Sequence, residues 1–247
     1  MWLVGLLVLV AVLLVWRHRP AWSSLRAKFY CFVLHRPDFS TPEFFWSGKK
    51  SNVVVVAFAG GANLVGGIPR LEFGSTLRSM GLDYVLVLDW RQTWYVHSTL
   101  RTQLAPVLRQ YERVVFVGNC MGATGALLWA DMADVVVAFA PLTSLNRARG
   151  LYRLNSRLRI EKSIRDSFER QLSEAVDACR GCVHVYYTPD KDAYLAPWAP
   201  AGARVAMTEL GNPRKLRDKG LLVPFLQAHI SHKSSMSKPC PFVWSNA

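Results

Sequence analysis

The chain has 247 residues, a length that suits one domain able to bury a sizeable core without covalent staples. Its formal charge of +13 admits three readings: an anionic membrane surface, nucleic acid, or solubility alone. No RNP motif, zinc-finger spacing or basic heptad helix occurs, so nucleic acid is the disfavoured partner. The five cysteines (Cys31, Cys120, Cys179, Cys182, Cys240) are odd in number and lack a repeated spacing, which speaks against a disulfide framework. Cys179-Arg-Gly-Cys182 is a lone CxxC without a second ligand pair, so neither a metal nor a cofactor is expected. A structural or incidental role is expected for it, with a redox pair as the alternative.

Trp2 to Trp16 is an unbroken apolar run, followed at once by Arg17, His18 and Arg19. About 20 apolar residues normally span a bilayer, so the run is short, with Trp2, Trp16, Arg17 and Arg19 as interfacial anchors. No basic residue precedes it and no Ala-x-Ala-like site follows, which favours an uncleaved anchor over a signal peptide. Residues 1–19 are therefore expected to form an N-terminal transmembrane helix. The positive charge after it predicts a cytosol-facing domain, with anionic headgroups as the lipid partner. Residues 20–50 mix aromatics (Trp22, Phe29, Tyr30, Phe32, Phe44, Phe45, Trp46) with basics (Arg26, Lys28, Arg36) and read as a juxtamembrane segment. An N-terminal arm packed on the domain is the alternative.

Residues 51–230 carry the domain. Asn52 to Ala59 is an apolar strand, followed by a glycine-bearing loop, Gly60-Gly61-Ala62-Asn63. Arg70 to Met80 has helical spacing, and Tyr84 to Leu88 is a second strand ending at Asp89. Thr99 to Tyr111 reads as a helix that Pro106 interrupts. Arg113 to Val117 is a strand, Met121 to Asp131 a small-residue helix, and Val135 to Phe139 a strand. A basic insert, about 143–180, breaks the rhythm and is helical from about Glu161 to Cys179. Strands follow at Val183 to Thr188 and Arg204 to Glu209, then a closing helix from Pro213 to Ala228 and a polar tail over 231–247. Apolar strands alternating with helices predict an α/β fold, a three-layer αβα sandwich with a mostly parallel sheet. Its strand C-termini share one edge, where such folds bind ligands.

On that edge stands Gly118-Asn119-Cys120-Met121-Gly122, between a strand and a helix. This is the setting of a nucleophile elbow. The turn strains the nucleophile's backbone, so its neighbours must be small, hence Gly118, Gly122 and Ala123. The helix N-terminus favours an anion at Cys120. The Met121 amide would point into an oxyanion hole, with a second donor from Gly60, Gly61 or Ala62. The motif and strand order over residues 52–228 resemble the α/β-hydrolase superfamily. With Cys as nucleophile the elbow is similar to that of the dienelactone hydrolases.

The resemblance implies an acid after the strand two places beyond the elbow, where Asp190 and Asp192 lie in Pro189-Asp190-Lys191-Asp192. The same residues also make a good turn. It implies a histidine just after the last strand, but Glu209 to Arg214 contains none. A displaced His229 or His97 would have to serve, or the machinery is incomplete; His184, inside a strand, reads as a packed core residue. Trp90, Arg91, Trp94 and Tyr95 follow the second strand and are expected to line a substrate pocket, although the tryptophans could equally be buried beneath the loop. The basic insert falls where this fold carries lids, and a solvated helical face is its alternative reading. Two functions follow: a membrane-anchored esterase or thioesterase acting through Cys120 on a lipid-like acyl substrate, or a binding or scaffold protein on the same frame.

Overall fold

A computed structural model of the protein describes residues 43–60, 73–89, 93–96, 99–143, 162–187, 205–210 and 213–231. They belong to one of two compact units of the chain, Phe39–Gly61 with Leu71–Ala247; the other, Met1–Asp38 with Ala62–Arg70, lies outside the described residues.

Runs of β-branched residues build the sheet. Val53–Phe58 (β2), Asp83–Leu88 (β3), Arg113–Asn119 (β4), Val135–Phe139 (β5), Cys182–Tyr187 (β6) and Val205–Glu209 (β7) are the strands expected from the sequence. Glu43–Trp46 (β1) adds a strand that the sequence reading placed in the juxtamembrane segment. The order is β1-β3-β2-β4-β5-β6-β7, with β1 antiparallel to β3 and every other pairing parallel. In β2, Val54, Val56 and Phe58 face one side and Val55 and Ala57 the other, and all five are buried. Both faces are therefore covered, which is why these strands read as continuous apolar runs rather than as alternating ones.

The first face carries three helices: Thr99–Leu108 (α2), Met121–Leu128 (α3) and Lys162–Asp177 (α4). Leu100, Leu104 and Leu108 anchor α2, and Phe168, Leu172 and Val176 anchor α4, at helical spacing in each case. The C-terminal part of the basic insert is thus a helix packed on the sheet. The second face carries Gly74–Ser79 (α1), Pro213–Asp218 (α5) and Leu222–Ser231 (α6), with Leu77, Leu216, Phe225 and Leu226 turned inward. The result is a three-layer α/β sandwich with a mostly parallel sheet.

Three boundaries differ from the sequence reading. Pro106 lies inside α2 without ending it, at the cost of the one bond its missing N–H would have made. The helix expected from Met121 to Asp131 ends at Leu128, and a 3-10 turn follows at Ala130–Met132. The single closing helix is two. Gly220 adopts φ 72°, and Leu221 N–H reaches back to the Leu216 carbonyl at 2.8 Å, which caps α5 and turns the chain into α6.

The expected N-terminal transmembrane helix is corrected. Among the described residues no helix is long and apolar enough to cross a membrane. The longest of them, α4, has 16 residues, many of them charged. At 1.5 Å per residue it spans roughly 24 Å, short of the roughly 30 Å hydrocarbon core. The run from Trp2 to Trp16, on which the expectation rested, lies outside the described residues. The membrane anchor, the anionic-lipid partner, the lipid-like substrate tied to it and the single-pass, cytosol-facing placement are withdrawn with it.

One buried carboxylate pins the turn that joins β1 to β2. Asp83 Oδ2 accepts the amides of Lys50 and Ser51, each at 2.7 Å, and lies 3.3 Å from Ser51 Oγ. Burial pushes its carboxyl up, but those two amides, the Ser51 hydroxyl and the charge of Lys50 outweigh it, leaving a net pKa below the ordinary value. A lowered folded-state value means stabilisation that is present above the unfolded pKa and lost as pH falls through the folded one. Asp83→Asn is therefore expected to cost about 1.5–3 kcal/mol at neutral pH. In urea titrations at stepped pH, the gap between variant and parent should close below about pH 4, where the unfolded carboxyl takes its proton. A gap that stays constant into acid would refute the assignment.

Candidate active site at the end of the fourth strand

Cys120 joins β4 to α3 at φ 54°, ψ −118°, a conformation that L residues rarely adopt. Its backbone is held at both ends. The Cys120 amide donates to Phe139 O at 2.8 Å, and the Cys120 carbonyl accepts from the Thr124 amide at 3.1 Å. The surroundings over-determine the strained residue, as such a conformation requires.

The flanking glycines are needed for steric reasons. A Cβ on Gly118 would lie 2.2 Å from the Gly122 carbonyl oxygen. A Cβ on Gly122 would lie 2.1 Å from the Phe58 carbonyl oxygen. Backbone thus meets backbone at the start of α3, which presses the helix against the C-terminal end of β2. Gly60 follows that end two residues on, is buried, and lies next to the approach. Met121 is the first residue of α3, so its amide belongs to the helix-initial N–H groups that have no intrahelical carbonyl to bond. Gly61, the other expected oxyanion donor, lies outside the described residues.

Thr124 is a positioning residue that the sequence reading passed over. It is fully buried, and its Oγ1 accepts the Leu142 amide at 2.8 Å. Leu142 O at 2.9 Å and Cys120 O at 3.3 Å both lie within reach of its proton. The hydroxyl ties the elbow to the segment after β5, where Ala140 holds a positive φ of 48°. A threonine in an otherwise small, apolar helix was the available signal.

Trp94 and Tyr95 turn inward, beneath the loop that follows β3. Both have positive φ, 63° and 62°, and both are buried. Tyr95 Oη lies 2.6 Å from Ala59 O and 3.1 Å from Val87 O, linking the ends of β2 and β3. Its amide donates to Asp89 Oδ2 at 3.1 Å. Its ring packs edge-on against Phe58, with centroids 5.2 Å apart. A Cβ on Gly125 would come 2.4 Å from that ring, so α3 rests directly on Tyr95. These contacts make Tyr95 the floor under the elbow helix. Trp90 and Arg91 lie outside the described residues, as do Asp190, Asp192 and His97.

His229 is buried in α6. Its Nδ1 lies 2.8 Å from Phe225 O and its Nε2 2.6 Å from Tyr186 Oη. A carbonyl only accepts, so Nδ1 carries the proton, and in the neutral ring Nε2 accepts from the Tyr186 hydroxyl. The His184 ring stands at 90° to the His229 ring, 4.6 Å away. Both imidazoles are packed into one aromatic cluster with Tyr186 and Phe225, as expected for His184. Both nitrogens of His229 are engaged there.

Cys179 and Cys182 are buried thiols at the turn from α4 into β6, outside any disulfide, with Cys179 Sγ 3.5 Å from Ala133 O. Nearby, Arg180 pairs with Asp134 at 3.3 Å, and Asp134 Oδ2 accepts the Val114 amide at 2.7 Å. Among the described residues no cluster of side chains suited to a metal ion is present.

An antiparallel edge strand, a parallel remainder and a strained residue between the central β4 and α3 together define an α/β-hydrolase-like fold. No family model matches the chain, and no curated protein matches it. Among solved structures it is similar to the Glycosylation Associate Protein (Gap123) complex of Streptococcus agalactiae. That match has 11% identity and a TM-score of 0.52, covering 78% of this chain and 46% of that one. An esterase domain from a Rhodothermus marinus protein aligns at 14% identity and TM-score 0.49, over 77% of this chain and 100% of that one. The fluorophosphonate-binding serine hydrolase F of Staphylococcus aureus aligns at 12% and 0.49, over 75% and 86%. At such identities the likeness is one of fold. The chain spans less than half the length of the Streptococcus agalactiae chain it matches.

Proposed function

We propose that the protein is an acyl-transfer protein of hydrolase type in which Cys120 is the nucleophile. The observation that carries this reading is the backbone of Cys120, held at φ 54°, ψ −118° between two glycines at which an added Cβ would meet backbone within 2.2 Å. That conformation is costly, and strain of this kind persists where it serves a site. The Cys120 thiolate would attack an acyl carbon. The resulting oxyanion would be met by the Met121 amide, with Gly60 or Gly61 as second donor. Asp190 or Asp192 remains the candidate acid of a triad.

A second reading, a binding or scaffold protein on the same frame, is favoured by one observation: His229 spends both ring nitrogens in the core. The two readings separate on labelling. A thiol-directed acyl probe is expected to modify the native chain, and Cys120→Ala is expected to lose about 90% or more of that signal. Equal labelling of both proteins would leave the binding reading standing.

A further inference from the structure

Resting on the reading of Cys120 as nucleophile, we infer that Tyr95 is a positioning residue for the oxyanion hole: its hydroxyl fixes the Ala59–Gly60 peptide so that the Gly60 amide is aimed at the elbow as the second donor. Tyr95 Oη lies 2.6 Å from Ala59 O and 3.1 Å from Val87 O. A phenol has one proton to give, and Val87 O already accepts the Ala59 amide at 2.9 Å. The shorter contact therefore takes the proton, and Tyr95 donates to Ala59 O. That oxygen belongs to the same peptide unit as the Gly60 N–H. The peptide is trans, so its carbonyl and its amide point in opposite directions. Holding Ala59 O on the phenol turns the Gly60 amide away from the phenol.

The elbow helix fixes where that peptide lies. A Cβ on Gly125 would come 2.4 Å from the Tyr95 ring, whereas one on Gly122, nearer the start of α3, would lie 2.9 Å from the Ala59 carbonyl carbon. The ring thus supports the helix further along, and the peptide it holds lies against the first turn, which begins at Met121 beside Cys120. The backbone around Tyr95 is built for this task at a cost. Trp94 and Tyr95 hold φ of 63° and 62°, a conformation unfavourable for residues with side chains. Asp89 Oδ2 accepts the Tyr95 amide at 3.1 Å, and Trp129 Nε1 donates to the Tyr95 carbonyl at 2.9 Å, which clamps the strained pair. Filling the space under α3 needs only the ring. The hydroxyl adds the direction of one peptide.

The chemistry separates this role from simple support. In acylation Cys120 Sγ forms a C–S bond, the carbonyl electron pair moves to oxygen, and collapse of the oxyanion expels the leaving group. In alkylation by iodoacetamide the C–S bond forms as the C–I bond breaks, iodide leaves, and no oxyanion arises. A misdirected oxyanion donor therefore slows the first reaction and spares the second.

The test compares the full native chain with Tyr95→Phe, which keeps the ring and removes the hydroxyl. Mass spectrometry would follow the rate at which p-nitrophenyl acetate acylates Cys120 and the rate at which iodoacetamide alkylates it, with Cys120→Ala as the blank. Acylation is expected to fall about tenfold or more in Tyr95→Phe, against the 10²–10³ typical of deleting an oxyanion donor outright, while alkylation stays within about twofold. Acylation at the native rate would overturn the inference and leave the nucleophile reading intact. A parallel fall in both rates would also overturn it, since that marks a displaced elbow. Should Tyr95→Phe fail to fold, Gly60→Pro decides, because it deletes the amide that Tyr95 aims: the same split between the two rates is expected, and native acylation would overturn the inference. Equal acylation of the native chain and Cys120→Ala would overturn both readings.

Discussion

Gly122→Ala is expected to destabilise the fold by about 3 kcal/mol or more, well beyond the usual effect of adding one methyl group. The added Cβ would lie 2.1 Å from the Phe58 carbonyl oxygen and 2.7 Å from the carbonyl carbon. Neither is the end of a side chain that could rotate away. Phe58 is the last residue of β2 and pairs with Gly118 of β4. Relief therefore requires α3 to lift off the sheet, and that movement would also carry Met121 and Cys120 out of place. Gly48→Ala provides the contrast, because Gly48 has φ 86° and nothing within 4 Å of a Cβ. It should cost only the backbone term, about 1 kcal/mol. Guanidinium unfolding of the two variants measures the difference through the midpoint, provided the slope is unchanged. Equal midpoints would mean that helix and strand do not meet as described.

His229→Ala should lower stability by about 2–4 kcal/mol, the combined cost of a cavity and of a buried Tyr186 hydroxyl losing its acceptor. Its effect on Cys120 should be small: the rate at which an acyl probe labels the folded protein is expected to stay within about twofold, under 0.5 kcal/mol. Tyr186→Phe provides a milder check, losing roughly 1 kcal/mol with labelling again unchanged. The contrast follows from geometry, since both imidazole nitrogens are engaged inside the core with Phe225 and Tyr186. A catalytic base would give the opposite pattern, with labelling reduced by a factor of 10² or more at nearly unchanged stability. That pattern would restore His229 to the site.

Together these experiments separate the elbow as a piece of architecture from the elbow as a reactive group. The same glycines serve both, so an activity loss in Gly122→Ala is informative only beside its unfolding curve. His229 has no such ambiguity, because its contacts and its expected catalytic role make opposite predictions.

Much of the fold was legible along the chain. Val53 to Phe58 and Val135 to Phe139 are uninterrupted apolar runs because both faces of the sheet are covered, and that continuity marks a buried parallel strand. Gly118-Asn119-Cys120-Met121-Gly122 identified the elbow, since a strained turn beneath a helix demands small neighbours at fixed spacing. These are local rules, set by sterics and hydrophobic period within a few residues.

Other features were decided only by contacts between distant segments. Glu43–Trp46 reads as an aromatic, amphipathic stretch, and only its pairing with β3 makes it a strand. Tyr95 reads as a pocket aromatic, but hydrogen bonding to Ala59 O, 36 residues away, makes it a buried floor. His229 reads as a displaced base, and Tyr186, 43 residues earlier in the chain, makes it a core residue. The sequence by itself determined the class of fold and the place of Cys120, because backbone sterics and apolar periodicity act locally. Tertiary structure decided which polar side chains remain available for chemistry, because a hydrogen-bonding group is committed by whatever the folded chain brings within 3 Å of it.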